Sequence, residues 1–148
     1  VGTANTASNV LEDYEEGTFT PSFSNGNGFD SLSYVYQRGV YTKIGRIVNV
    51  RIQIELGSGV SKNGNRIILD GLPFTSSSAS PGGGLNWSYV DSKVIGGTST
   101  NIPTLLIAES SSAVNFWNTA GANFTGNNIS GSTTNLNIYL NGTYQTDA

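Results

Sequence analysis

Residues 34–56 read YVYQRGVYTKIGRIVNVRIQIEL, and the fold is decided here. From Val48 onward, Val50, Ile52, Ile54 and Leu56 alternate without a break with Asn49, Arg51, Gln53 and Glu55. Strand side chains point to opposite faces with a period of two, so this segment has one dry face and one wet face. A helix would spread the same residues around its circumference. β-Branched residues crowd the dry face, as a pleated, half-buried surface favours. The segment Arg46 to Leu56 is therefore expected to be a central strand of an antiparallel sheet. Tyr34 to Ile44 is expected to return beside it through a turn at Ile44-Gly45-Arg46.

Composition extends this reading to the whole chain. Its 148 residues suit one domain large enough to bury a core. Only 11% are charged and 36% hydrophobic, while Gly, Ser, Thr and Asn fill the rest. Aromatic residues reach 10%, more than a disordered chain carries. Many turns and an uncharged, hydrogen-bonding surface follow, as in an all-β protein. A second alternation, Leu136, Ile138 and Leu140 against Asn137, Tyr139 and Asn141, supports it.

Between these two segments, short strands are expected at Arg66 to Leu69, Leu85 to Ile95, Ile102 to Ala108 and Ala113 to Asn118. Thr134 to Leu140 supplies the last. Gly57 to Asn65 reads as a flexible connection, and Thr75 to Gly84 as a long loop within one domain. At the front, Asn9 and Glu12 have the spacing that caps a helical turn before Gly17. Thr18 to Phe23 reads as a strand placed at an edge or broken at Pro21, which has no amide hydrogen to donate. The expected architecture is a single antiparallel β-sandwich, jelly-roll-like, over residues 10–148, preceded by a tether over 1–9. The chain begins at Val1 and contains no Met, so it is expected to be a fragment or a processed piece.

Several function classes lose support. The net charge of −3 and the scattered seven basic residues argue against nucleic acid. Arg38, Lys43, Arg46 and Arg51 are the nearest approach to a basic group, and they read as dispersed over different faces of a solvated sheet. Without Cys or His, disulfides, thiolate metal sites and the usual catalytic triads are not available. No apolar run reaches the roughly 20 residues of a membrane helix. Glu12, Asp13, Glu15 and Glu16 offer oxygen ligands for Ca²⁺ but lack the spaced ligands and turn glycine of an EF-hand loop, so no metal is expected. A glycosidase needs two carboxyl groups at a set separation. Glu55, Asp70, Asp91 and Glu109 are the candidates, and no spacing pairs them; an enzyme is not expected. No cofactor is expected either.

Trp87, Tyr89 and Trp117, with Asn86 and Asn115, suit a sugar platform. Aromatic faces stack on pyranose C–H groups, and amides both donate and accept toward hydroxyls. The competing reading of each Trp is a place in the core or at a subunit boundary.

The string Leu11-Glu12-Asp13-Tyr14-Glu15-Glu16-Gly17-Thr18-Phe19-Thr20-Pro21 is the most specific in the chain. Together with Tyr36-Gln37-Arg38-Gly39-Val40-Tyr41-Thr42-Lys43-Ile44-Gly45-Arg46 and Gly71-Leu72-Pro73-Phe74, it resembles a module of bacteriophage tail-fibre and related virion proteins. The likeness covers residues 10–74; beyond them only the general pattern agrees. It implies the distal, C-terminal domain of a homotrimeric fibre, extracellular on the virion, that contacts a host-surface glycan or protein. It fixes no receptor-contacting residues. The rival expectations are a trimerisation or folding cap that binds nothing, a free-standing carbohydrate-binding module, and a glycan-cleaving enzyme. In a trimer, apolar residues left over from the core, such as Ile47 or Tyr36, are expected at the subunit boundary.

Overall fold

A computed structural model describes residues 13–24, 26–79, 82–94 and 102–147. The expected hairpin is present as β4 (Tyr34–Ile44) and β5 (Ile47–Leu56), with Ile44 opposite Ile47 across the turn. Gly45 opens that turn at a φ of 57°, the positive value that two-residue hairpin loops favour. Along β5 all five apolar residues from Val48 to Leu56 are buried, as the alternation requires.

The other strands are β1 (Tyr14–Phe19), β2 (Ser22–Phe23), β3 (Phe29–Ser31), β6 (Ser61–Lys62), β7 (Ile68–Asp70), β8 (Gly83–Val90), β9 (Thr104–Ile107), β10 (Val114–Trp117) and β11 (Asn137–Gln145). Of the eleven strands among the described residues, nine form one antiparallel sheet in the order β1-β4-β5-β11-β8-β9-β10-β7-β2, and β3 pairs with β6 apart from it. The fold is all-β and antiparallel, as expected. Its layers are two walls of one rolled sheet, continuous from β8 to β9.

The rolling follows from connectivity. β1 and β2 are the two outer edges of the nine-stranded sheet, yet only Thr20 and Pro21 separate them. An extended chain advances at most about 3.6 Å per residue, so the edges must lie within about 11 Å of each other. The strand expected over Thr18 to Phe23, at an edge or broken at Pro21, is broken there, and its two parts lie on opposite edges. Side chains then latch the walls. The Phe23 amide donates to the Tyr34 hydroxyl at 2.9 Å, joining β2 to β4. Tyr144 of β11 donates to the Phe74 carbonyl at 2.9 Å and accepts from the Phe74 amide at 3.2 Å. Trp87 meets Phe116 edge-on at 6.0 Å, and Tyr41 meets Phe74 at 5.2 Å. One apolar core, from Phe23 to Tyr144, fills the space between.

Some expectations need correction. Tyr14, Glu15 and Glu16 are strand and not helical turn, because pairing with β4 satisfies their backbone; Asn9 and Glu12 lie outside the described residues. The connection over 57–65 contains β6, pinned where the Lys62 ammonium donates to the Ile129 and Gly131 carbonyls. Gly83 and Gly84 belong to β8 and are not a flexible loop. A Cβ on Gly83 would stand 2.7 Å from Tyr144 Cβ, so close backbone approach explains the glycine. Ser76 and Ser77 in the same stretch are buried and bonded to the end of the chain. Lys43 points inward, with its ammonium 5.7 Å from the Phe74 ring centre. Among the described residues, no helix is long and apolar enough to cross a membrane.

Candidate ligand-binding face

The wet faces of β4, β5, β11 and β8 make one continuous outer surface. Register sets its rows: Val40, Arg51, Asn141 and Asn86 lie across from one another, and so do Arg38, Gln53, Tyr139 and Tyr89. The β11–β8 register slips at Tyr139/Leu140, and Ser88 is the extra residue on β8. Such a bulge bends its strand and redirects side chains. Here it opens a cleft of about 530 Å³ lined by Arg38, Val40, Arg51, Gln53, Ser88, Tyr139 and Asn141. A hollow of about 430 Å³ beside Tyr89 and Asn137 shares Ser88 and Tyr139 with it. Another of about 250 Å³, beside Tyr41, Thr42 and Asn49, shares Val40 and Arg51. Together they form a groove crossing four strands.

Cross-strand hydrogen bonds hold the groove's polar groups in place. The Gln53 amide donates to the Tyr139 hydroxyl at 3.0 Å, Asn141 to the Ser88 hydroxyl at 2.8 Å, and Asn49 to the Thr143 hydroxyl at 3.1 Å. Tyr89, 54% exposed, stands edge-on to Tyr139 with ring centres 6.0 Å apart. On the other face of β4, the Tyr41 phenol donates to Glu15 at 2.7 Å; that bond, with some burial, raises its pKa. Fixed donors and acceptors beside an aromatic pair are what recognition of a polyhydroxylated ligand requires.

The residues singled out in the sequence divide among three places. Asn86 and Tyr89 are exposed on the outside of β8; Tyr89 lines the groove, and Asn86 stands across from Asn141 beside it. Trp87 is half-buried on the inner face; its indole N–H donates to the Pro103 carbonyl at 2.9 Å and its ring packs on the core. Asn115 and Trp117 lie on β10, in the opposite wall. The Arg66 guanidinium covers the Trp117 ring at 4.8 Å. The five do not form one platform: the extra residue Ser88 turns Tyr89 to the face opposite Trp87, and β10 belongs to the other wall.

None of the four carboxylates weighed for glycoside cleavage lines the groove. Asp91 is buried and accepts from the Lys93 and Asn137 amides, which is a turn-capping role. Asp70 is on β7, its pKa raised by burial; Glu109 is exposed near a turn. In the acidic stretch, Glu15 accepts from Tyr41 and Glu16 from Tyr14. Among the described residues no three His, Cys, Asp or Glu side chains are grouped to hold a metal ion.

Sequence reasoning missed Arg38, Arg51, Gln53, Ser88, Tyr139 and Asn141 as a group. It placed Arg38 and Arg51 on different faces, whereas they share one. The signal was present in the turn. Once Ile44 stands opposite Ile47, Gln53 must stand opposite Arg38, and Arg51 lies two residues along the same face. No known protein family, characterised protein or solved structure matches the chain.

Proposed function

We propose that the chain is the distal domain of a bacteriophage tail fibre, working as a homotrimer and adhering to a glycan on the host surface. The observation that carries this reading is the groove, with its fixed amides and hydroxyls, exposed Tyr89 and, among the described residues, no lining carboxylate. Sugar hydroxyls both donate and accept, and Asn, Gln, Ser and Tyr match them in kind. The resemblance of residues 10–74 to tail-fibre modules supplies the virion setting. A rival reading, a trimerisation cap without a ligand, draws support from a row of exposed apolar residues. Tyr14, Ile44 and Ile47 sit opposite one another across β1, β4 and β5, each over 40% exposed. In the adhesion reading this row is the subunit seam, while Tyr36, also exposed, stands two residues from Arg38 beside the cleft.

The test is a glycan and whole-cell binding screen, with the mass of the species measured by sedimentation. A trimer that binds a host saccharide is expected. A trimer that binds neither saccharide nor cells supports the cap, and a monomer defeats both fibre readings.

A further inference from the structure

We infer that the groove takes an acidic saccharide, one whose carboxylate lies between Arg38 and Arg51; this rests on the glycan-binding reading above. Arg38 stands opposite Gln53 and Arg51 two residues along β5, so the two arginines are diagonal neighbours. In a sheet such positions are about 7–8 Å apart, within reach of one another's side chains. Both are exposed and both line the same cleft. Neither has an ion-pair partner among the described residues, where the salt bridge present joins Arg46 to Asp147.

This pairing runs against the charge of the whole protein. The chain holds ten acidic residues to seven basic ones, yet among the described residues no carboxylate lines any of the three hollows. Of the acids on the same face, Glu55 lies beyond Gln53 opposite Tyr36 and Asn137, and Glu16 lies on β1 opposite Thr42; neither lines the cleft. Two unpaired guanidiniums side by side repel each other, and an anion between them relieves that repulsion. The guanidinium fork matches a carboxylate in shape and binds it with two parallel hydrogen bonds. Around that point, Asn141, Ser88 and Gln53 present groups for ring hydroxyls, and Tyr89 presents an apolar face for the sugar ring. Two cations are too few for a nucleic-acid backbone, which requires a longer basic track.

The test uses the whole chain and a panel of carboxylate-bearing oligosaccharides, each paired with its carboxyl-reduced, neutral counterpart. Acidic members are expected to bind at least about tenfold tighter than their neutral partners, and the preference to shrink as salt rises from about 0.05 to about 0.5 M. Arg38→Gln and Arg51→Gln, both at exposed positions, are each expected to lose most of that preference while keeping the native circular dichroism spectrum. Equal binding of acidic and neutral members overturns the inference and leaves glycan adhesion standing, as does an acidic preference unchanged in both variants. Binding to no saccharide at all removes the glycan reading itself.

Discussion

Tyr144 shows how one residue ties sequence to architecture. Its ring is buried in the core, and its hydroxyl both donates to and accepts from the backbone of Phe74, which follows β7 in the opposite wall. Burial, partly countered by the Phe74 hydrogen bond, pushes the phenol up to about 12. The unfolded chain releases that proton near the ordinary tyrosine value of about 10, while the folded chain still holds it. The unfolded state then binds fewer protons, so stability falls as pH rises through the window between those values. Below it the contribution is fully present. Tyr144→Phe is expected to lower unfolding stability at neutral pH by about 1–3 kcal/mol, since it leaves a buried amide and carbonyl without their partner. It is also expected to flatten the loss of stability between pH 10 and 12. Urea titrations at several pH values check both, and an unchanged alkaline slope in the variant would count against the assignment. At the acid end Asp147 behaves oppositely. Hydrogen bonds from Ser77 and Ser78, with Arg46 nearby, lower its pKa, so its contribution is present above the usual carboxylate range and fades as pH falls.

At the scale of elements, β11 is the strand that joins the two halves of the chain. It pairs with β5 on one side and β8 on the other, and its outer residues complete the groove. Gly142 lets it pass. A Cβ there would meet Leu85 Cδ2 at 2.7 Å and the Gly84 carbonyl at 2.8 Å. Gly142→Ala is therefore expected to destabilise the domain by about 1–3 kcal/mol, as overpacking does, measured by denaturant unfolding. No loss of stability would mean that β11 and β8 are not so closely apposed. The same glycine limits what the sequence discloses. The Leu136, Ile138, Leu140 alternation stops at Asn141-Gly142, so the strand reads as ended where it in fact continues to Gln145. β5 was legible because its pattern is unbroken and its partner is joined by a two-residue turn. The partnership of β5 with β11 was not legible, since nothing local specifies a neighbour more than eighty residues away. The groove depends on that pairing and on the β8 bulge, so of its lining residues only Tyr89 was singled out beforehand as a ligand contact, with Asn86 in the row beside it. Trp87 was grouped with Tyr89, two residues on, because regular alternation puts both on one face and nothing local announces the extra residue at Ser88.

For the whole molecule, the rolled sheet divides labour between its faces. Inward residues of both walls make one core; outward residues of β4, β5, β11 and β8 make a polar groove. The row Tyr14, Ile44 and Ile47 lies on the same outer face, beside the β4–β5 turn, so a subunit seam there leaves the cleft at Arg38, Gln53 and Asn141 clear of the turn. Adhesion through that cleft is the central claim. The most direct test is binding of the assembled chain to host cells, comparing Asn141→Trp, which fills the cleft, and Tyr89→Ala with Trp117→Ala in the opposite wall. The two groove variants, both at exposed positions, are expected to weaken binding by at least about tenfold, and Trp117→Ala to leave it unchanged in any folded protein. Full binding by both groove variants, with loss in a folded Trp117→Ala protein, would contradict the account and place the adhesive surface on the other wall.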